Sequence, residues 1–280
     1  MRIAHLSDLH FGKEASRVKE QSLREDLHCL QPDLLVISGD VTDRGSVSQF
    51  RRARRFFDSL GIPFLSVPGN REISFGAVWE WMLPRFAMTR YRSYFGQDDK
   101  ILYVSEEHKV VLFGLNSVHP LPSWPGRLER ETRYWLKEKA AGFHGYFKGL
   151  FLHHPVVPVI RSSSFWAHSL SDAGEVLNIC TQSGISLILQ GHKHRSAVVE
   201  LYYPDRDAKV VVSSGGAPLM PHWDSIYHIV DIFGPSLAVQ PREFLDGNFV
   251  GRTRHEFSLN GRADDGRPPL APHKDMSNRY

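Results

Sequence analysis

The first 67 residues alternate short apolar runs with amphipathic stretches, an order that leaves few folds open. Ile3–Leu6 is apolar and stops at Ser7-Asp8; Val18–Leu30 then reads as a helix, ended before Pro32. Asp33–Ser38 carries Leu-Leu-Val-Ile and runs into Gly39-Asp40. In Val47–Leu60, Phe50, Ala53, Phe57 and Leu60 fall on one helical face. Phe64–Val67 closes on Pro68-Gly69-Asn70. A βαβαβ opening of this kind implies a mostly parallel sheet with right-handed crossovers.

The same reading continues with different spacing. Ile101–Ser105 and Val110–Leu115 form a strand pair around the polar turn 106–109. Leu128–Ala141 is helical, Gly149–Leu152 a strand ending at His153, Asp172–Ser183 a helix, and Ser186–Leu189 a strand ending at Gly191-His192. Thereafter Val198–Tyr203, Lys209–Ser213, Tyr227–Phe233 and Leu237–Val239 follow one another with no helix between them. Two sheets packed face to face, with helices outside, fit this order. We expect one catalytic domain over residues 1–260 and a polar, Pro-rich flexible tail over 261–280.

Composition narrows the function classes. The 280 residues are 41% hydrophobic and 23% charged, an ordinary soluble balance. A net charge of +3 is too small to argue for duplex nucleic acid. No apolar run approaches the ~20 residues of a membrane span, and no signal peptide is visible. The expectation is a cytoplasmic protein with at most peripheral membrane contact. Cys29 and Cys180 read as two buried thiols in a reducing compartment. Arg51, Arg52, Arg54 and Arg55 lie mainly opposite the Phe50/Phe57 stripe and read as a solvated face. Arg85, Arg90 and Arg92, interleaved with Phe86, Tyr91, Tyr94 and Phe95, read as a cap near the cleft, with lipid contact the sharper alternative.

Five loops share one property: each follows an apolar strand and offers a metal-competent side chain. They are Asp8-x-His10, Gly39-Asp40-x-x-Asp43-Arg44-Gly45, Gly69-Asn70, His153, and Gly191-His192-x-His194. Ligands bind at the carboxyl ends of strands in open α/β sheets, so these loops can converge. Carboxylate and imidazole suit Mn, Fe or Zn. Singly, each residue has a bland reading: His10 a solvated loop histidine, Asp40 a cap or turn residue, Asn70 a turn former. For Asp43-Arg44, a structural salt bridge and a phosphate contact stay equally open.

The ordered set resembles the calcineurin-like metallophosphoesterase superfamily, whose signature runs D-x-H, G-D, G-N-H-D/E, a lone H, and G-H-x-H. The resemblance spans residues 8 to 194 and implies a four-layer αββα sandwich, an α/β fold. It implies two divalent ions, Mn or Fe with Zn also admitted: one on Asp8, His10, Asp40 and His194, the other on Asp40, Asn70, His153 and His192. Of the pair His153 and His154, position in the motif selects His153 as ligand and leaves His154 as a structural or substrate-side group. All seven ligand positions are filled, which argues against a non-catalytic scaffold on the same fold.

One position departs from the signature: Gly69-Asn70-Arg71-Glu72 carries arginine where relatives have the histidine thought to protonate the leaving oxygen. Arginine cannot serve as that acid, with a pKa above ~12, but can hold phosphate oxygens. Arg71 and Asn70 are therefore the expected catalytic contacts, and Arg71 and His154 the expected substrate contacts. His153-His154-Pro155 and the Gly191–Arg195 stretch, with Asn116-Ser117 and Ser213–Gly216, resemble class III cyclic-nucleotide phosphodiesterases. The Asn-Arg-Glu variant resembles UDP-diacylglucosamine pyrophosphatases instead. The expected substrate is a small phosphorylated molecule, a nucleotide or a lipid-linked nucleotide; the sequence leaves the oligomeric state open.

Overall fold

The computed structural model describes residues 1–73, 88–96, 99–118, 126–159 and 169–259. It contains two sheets. One has the strand order β12-β11-β10-β1-β2-β3, with β13 (His255–Ser258) also paired to β11. Its members are β1 (Arg2–Leu6), β2 (Leu34–Ser38), β3 (Phe64–Val67), β10 (Ile226–Phe233), β11 (Ser236–Leu245) and β12 (Asn248–Gly251). The other runs β4-β5-β6-β7-β9-β8. It is built from β4 (Lys100–Ser105), β5 (Val110–Leu115), β6 (Phe147–Phe151), β7 (Ile185–Gln190), β8 (Ala197–Tyr203) and β9 (Ala208–Ser214). Pairing is parallel from β1 through β3, and again from β5 through β6 and β7 to β9.

The side-chain period of two builds the layers. Ile3, Leu34, Val36 and Val230 of the first sheet meet Leu112, Leu187, Leu189 and Val211 of the second in a core between the sheets. The alternate residues Ala4, Leu6, Leu35 and Ile37 face α1 (Arg17–Leu30) and α2 (Val47–Leu60) through Leu23, Leu27, Phe56 and Phe57. On the far side Val111, Phe113, Ile188 and Val212 pack on α4 (Arg130–Ala141) and α5 (Ala173–Ser183) through Leu136, Ala140, Val176 and Cys180. The result is the expected four-layer αββα sandwich. Capping agrees with sequence: Ser46 caps α2 by accepting from the Gln49 N–H, and Gly61 ends it at φ 65°.

Several readings need correction. β11 runs ten residues rather than three, and β12 and β13 extend the first sheet beyond the strands expected. α4 begins at Arg130, because Glu129 lies outside the helical range at ψ 148° and the Leu128 carbonyl accepts from Arg133 Nη1 rather than from a helical N–H. Cys29 is exposed; only Cys180 is buried. Arg51 and Arg55 are exposed as expected and Arg54 is half-exposed, reaching Asp58 and the Tyr94 carbonyl, but Arg52 is drawn in to bond Glu20 and the Gly12 carbonyl. Tyr91, Tyr94 and Phe95 lie on a short helix, α3 (Thr89–Phe95), where Tyr94 stacks on Phe50 at 5.5 Å and Phe95 packs on Phe57 at 6.0 Å. Tyr94 and Phe95 are thus packed on α2 and buried Tyr91 donates to Ser66 Oγ of β3, which commits these aromatics to the fold rather than to a lipid surface. Arg85, Phe86 and the segment 261–280 lie outside the described residues. Among the described residues, no helix is long and apolar enough to cross a membrane.

Candidate metal centre

All five sequence-singled loops leave the carboxyl ends of strands on the same edge of the sandwich. Asp8 and His10 follow β1, Asp40 follows β2, Asn70 follows β3, His153 follows β6, and His192 and His194 follow β7. The β1 and β2 loops are laced together by N–H groups of Asp8 and His10 donating to the carbonyls of Gly39 and Asp40, both at 3.0 Å. The Gly191 N–H donates to the His153 carbonyl at 3.0 Å, joining the two loops of the second sheet.

The side chains converge in two overlapping groups. Asp8, His10, Asp40 and His194 form one, Asp40, His153 and His192 the other, with ligand atoms within 4.8 Å of one another in each. Asn70 completes the second: its Oδ1 lies 3.1 Å from His153 Nε2 and 3.0 Å from His192 Nδ1. Asp40 is common to both groups.

The backbone is held where side chains rarely sit. Nine non-glycine residues among those described have positive φ, and five of them are Asp8, His10, Asp40, His192 and His194, at 47–74°. Asp and His tolerate this region better than most residues, but such conformers cost of order 1–3 kcal/mol each. Their concentration at one edge shows that the fold over-determines these turns. Two glycines permit the crowding. A Cβ on Gly69 would lie 2.2 Å from Asp40 Oδ1, and one on Gly191 would lie 1.8 Å from Ser7 Oγ.

The donor set fits divalent cations. His10 Nε2 and His194 Nε2 approach to 2.9 Å, and His153 Nε2 and His192 Nδ1 to 3.1 Å. His153 Nδ1–H donates to the Ser38 carbonyl at 2.8 Å, so in the neutral ring Nε2 turns its lone pair toward Asp40, Asn70 and His192. The buried Asp8 Oδ1 has no hydrogen-bond partner, although His194 Nε2 lies 3.2 Å from it. Asp8 Oδ2 is better served, accepting from Ser7 Oγ and from the His192 N–H. Converging lone pairs and an orphaned carboxylate oxygen describe a cradle for positive charge.

Protonation follows the same logic. Burial, and then the Asp8 charge, push the Asp40 carboxyl up to about 8; a bound cation reverses that pressure. Burial would raise Asp8 too, but the adjacent His194, His153 and His10 rings outweigh it and hold Asp8 below the ordinary carboxylate range. Burial pushes His10 down to about 4 against the pull of Asp8, and lowers His153 and His192. Burial opposes protonation of His194 as well, yet Asp8 overcomes it and raises that ring.

Around the cluster, Arg71 is exposed, and its backbone N–H donates to Asp40 Oδ1 at 2.8 Å. His154 is 6% exposed, its ring 4.8 Å from that of His192 and its Nδ1 3.0 Å from Ser117 Oγ. Asp43 and Arg44 form an exposed pair at 3.2 Å. Sequence reasoning passed over Glu72, which is fully buried and accepts from Thr42 N, Thr42 Oγ1 and Gly69 N at 2.9, 3.0 and 2.7 Å. Glu72 thereby ties the Asp40 loop to the Asn70 loop; its place two residues after Asn70 was the available signal. His5, His228 and Trp223 were also missed, and nothing local in the sequence marks them.

Comparison with known proteins bears on the family and the fold. The family model described as calcineurin-like phosphoesterase covers residues 1–196. A "probable cyclic nucleotide phosphodiesterase" of Synechococcus sp. is 26% identical over 207 residues, covering 71% of this chain and 75% of that protein. A "probable glycerophosphodiester phosphodiesterase GpdQ" of Arcobacter nitrofigilis is 26% identical over 129 residues, covering 46% of this chain but only 44% of that protein. A dimetal phosphatase from Danio rerio superposes with a TM-score of 0.65 at 12% identity, covering 92% of this chain and 99% of that one. Purple acid phosphatase PPD1 from yellow lupin seeds does so with a TM-score of 0.66 at 13% identity, covering 92% and 53%. At such identities the structural likeness establishes the fold alone. The family match runs through well over half of the chain and through every loop of the cluster, and the chain belongs to the calcineurin-like phosphoesterases, hydrolases of phosphoric esters.

Proposed function

We propose that this chain is a phosphodiesterase, with one divalent ion on Asp8, His10, Asp40 and His194 and a second on Asp40, Asn70, His153 and His192. The observation that carries this reading is the convergence of seven donor side chains from five strand-end loops, with Asp40 shared. Carboxylate, imidazole and amide donors without thiolate suit Mn or Fe, with Zn admitted. Bound there, the ions supply an activated water and Lewis-acid charge on the phosphoryl oxygens.

The protein's own groups do the rest. Asp40 is the shared carboxylate, and the Arg71 N–H at 2.8 Å orients it. The Ser38 carbonyl fixes the His153 tautomer, and Ser7 and the His192 N–H fix Asp8. The exposed Arg71 guanidinium would hold phosphoryl oxygens, and Asn70 would steady them from the second half of the site. His154, backed by Gly126 and Ser117, packs against His192 and would be the group on that side of the substrate. The names of the relatives favour a diester. Arg71 at the acid position favours a good leaving group, which keeps a nucleotide-sugar or lipid-linked pyrophosphate as the second reading.

The test is a screen of the metal-stripped, Mn-reloaded protein. Expected are about two ions per chain and turnover of bis(p-nitrophenyl) phosphate faster than p-nitrophenyl phosphate. Turnover of a UDP-sugar pyrophosphate without any diester activity moves the assignment to the second reading, and monoester activity alone overturns both.

A further inference from the structure

Trp223 stands at the mouth of the cluster. It is 42% exposed, and its ring meets that of His194 edge to face, centroids 4.8 Å apart at 79°. Single exposed aromatics are common and by themselves mean little. What sets this one apart is how firmly its loop is held against the His194 segment. Asp224 Oδ1 accepts from Arg195 Nη1 at 2.7 Å, and Asp224 Oδ2 accepts from the Ser196 N–H at 3.0 Å. The Asp224 N–H reaches the His194 carbonyl at 3.4 Å. At the other end of the loop Leu219 is fully buried and its carbonyl accepts from the Ser16 N–H at 3.0 Å. Gly216 lets the loop close, since a Cβ there would lie 2.3 Å from the Asp224 carbonyl oxygen. The Arg195 guanidinium then lies over the indole at 5.5 Å. An apolar ring is thus pinned, part-exposed, beside a side chain of the first donor group.

We propose that Trp223 forms an aromatic subsite that takes a planar ring, a nucleobase or aryl group, carried by one ester arm of the substrate. The inference rests on the phosphodiesterase reading and adds which diesters are preferred. The reasoning is one of direction. The two ester arms of a phosphodiester diverge from its phosphorus, and the two donor groups are bordered by different rings. One side is bounded by His154 against His192, the other by Trp223 against His194. Ring stacking is sequence-tolerant because every base has a π-face, so the subsite selects for a ring rather than for a particular base.

The measurement is the ratio of kcat/KM for bis(p-nitrophenyl) phosphate to that for glycerophosphoethanolamine, which lacks a ring, in the Mn-loaded protein. Trp223→Ala should lower this ratio roughly 5- to 150-fold, mainly through KM for the aryl diester. Trp223→Phe should keep most of the preference, and both variants should melt within a few degrees of the wild type. A ratio that stays within twofold in Trp223→Ala overturns the proposal. Should the wild type cleave no diester, the phosphodiesterase reading fails but the subsite is still measurable. Adding a nucleoside 5′-monophosphate should then quench tryptophan emission in the wild type and not in Trp223→Phe. Identical titration curves in the two proteins reject the subsite.

Discussion

In the proposed reading, Arg71 would govern how the site treats its leaving group. Bound ions would activate the nucleophile, but a guanidinium keeps its protons and donates none to the departing oxygen. Negative charge would therefore build there, with Arg71 and the bound ions to offset it. We predict a steep dependence of rate on leaving-group pKa, with alkyl or ribose esters slower than nitrophenyl esters by up to ~10²–10⁴-fold. Arg71→His should narrow that gap. A flat series in the wild type would show that another acid is present. His154 is the described candidate, at 6% exposure beside His192, while His168 lies outside the described residues. A second prediction separates the two adjacent histidines. His153→Ala should drop metal content from about two ions toward one, and Asp40→Asn should weaken both sites. His154→Ala should leave content near two, since its Nδ1 faces Ser117 rather than the donor groups. Metal analysis showing the reverse order would exchange the roles of the pair.

At the scale of elements, the site is a set of turns forced into left-handed backbone at the ends of parallel strands. Turn geometry depends on glycines whose missing Cβ leaves room for a neighbouring ligand. Gly69→Ala would set a methyl 2.2 Å from Asp40 Oδ1 and 2.3 Å from the Asp40 backbone nitrogen, which no rotamer change relieves. We predict loss of high-affinity metal binding and destabilisation of several kcal/mol, the upper range of single substitutions. Gly174→Ala is the control. It lies in α5 with nothing within 4 Å of the added carbon, so it should be neutral or up to ~1 kcal/mol stabilising. Thermal melts with and without Mn distinguish the two, and a Gly69→Ala protein binding two ions at wild-type affinity would refute the crowding argument.

At the scale of the whole molecule, the two sheets are joined by polar contacts just beneath the metal centre. His5 Nε2 lies 2.9 Å from Ser38 Oγ and His5 Nδ1 3.1 Å from Ser213 Oγ. Ser213 Oγ lies 2.7 Å from His228 Nδ1, whose Nε2 lies 2.7 Å from Ser196 Oγ. The chain crosses an otherwise apolar interface at full burial of His5, Ser38, Ser213 and His228. Burial, and then His228, push His5 down to about 3, while burial, and then His255, push His228 down to about 3. Both rings are thus neutral when folded but protonate near 6.5 when unfolded. Above 6.5 neither state binds the proton; as pH falls toward 3 the unfolded state gains it and stability drops. Each ring contributes up to ~1.4 kcal/mol per pH unit in that window. Denaturant unfolding of the metal-free protein between pH 7 and 4 should show a shallower decline in His5→Gln than in the wild type. Equal slopes would mean the rings titrate normally. Metal removal should separately lower the melting temperature, since ions at 100 times their Kd add ~2.7 kcal/mol.

The chain's local pattern determined the elements and the chemistry. Val47–Leu60 and Phe64–Val67 coincide with the structure because apolar period, the Ser46 cap and the Gly61 stop all act within a few residues. The candidate ligands were legible for a similar reason: each sits directly after its own strand, so its direction is set by that strand's end. Other features arise only when distant segments meet. β1 pairs antiparallel with β10, more than 200 residues away, and no local signal encodes that choice or the extra strands β12 and β13. Arg52 became a partner of Glu20 because α1 packs beside α2, and Cys29 was exposed because its face of α1 turns to solvent. Glu72, the His5–His228 chain and Trp223 beside His194 gain their roles from neighbours supplied by other strands and loops. Sequence specifies what each strand end carries; only the packing of two sheets decides which ends face one another, because side-chain direction is local and sheet pairing is not.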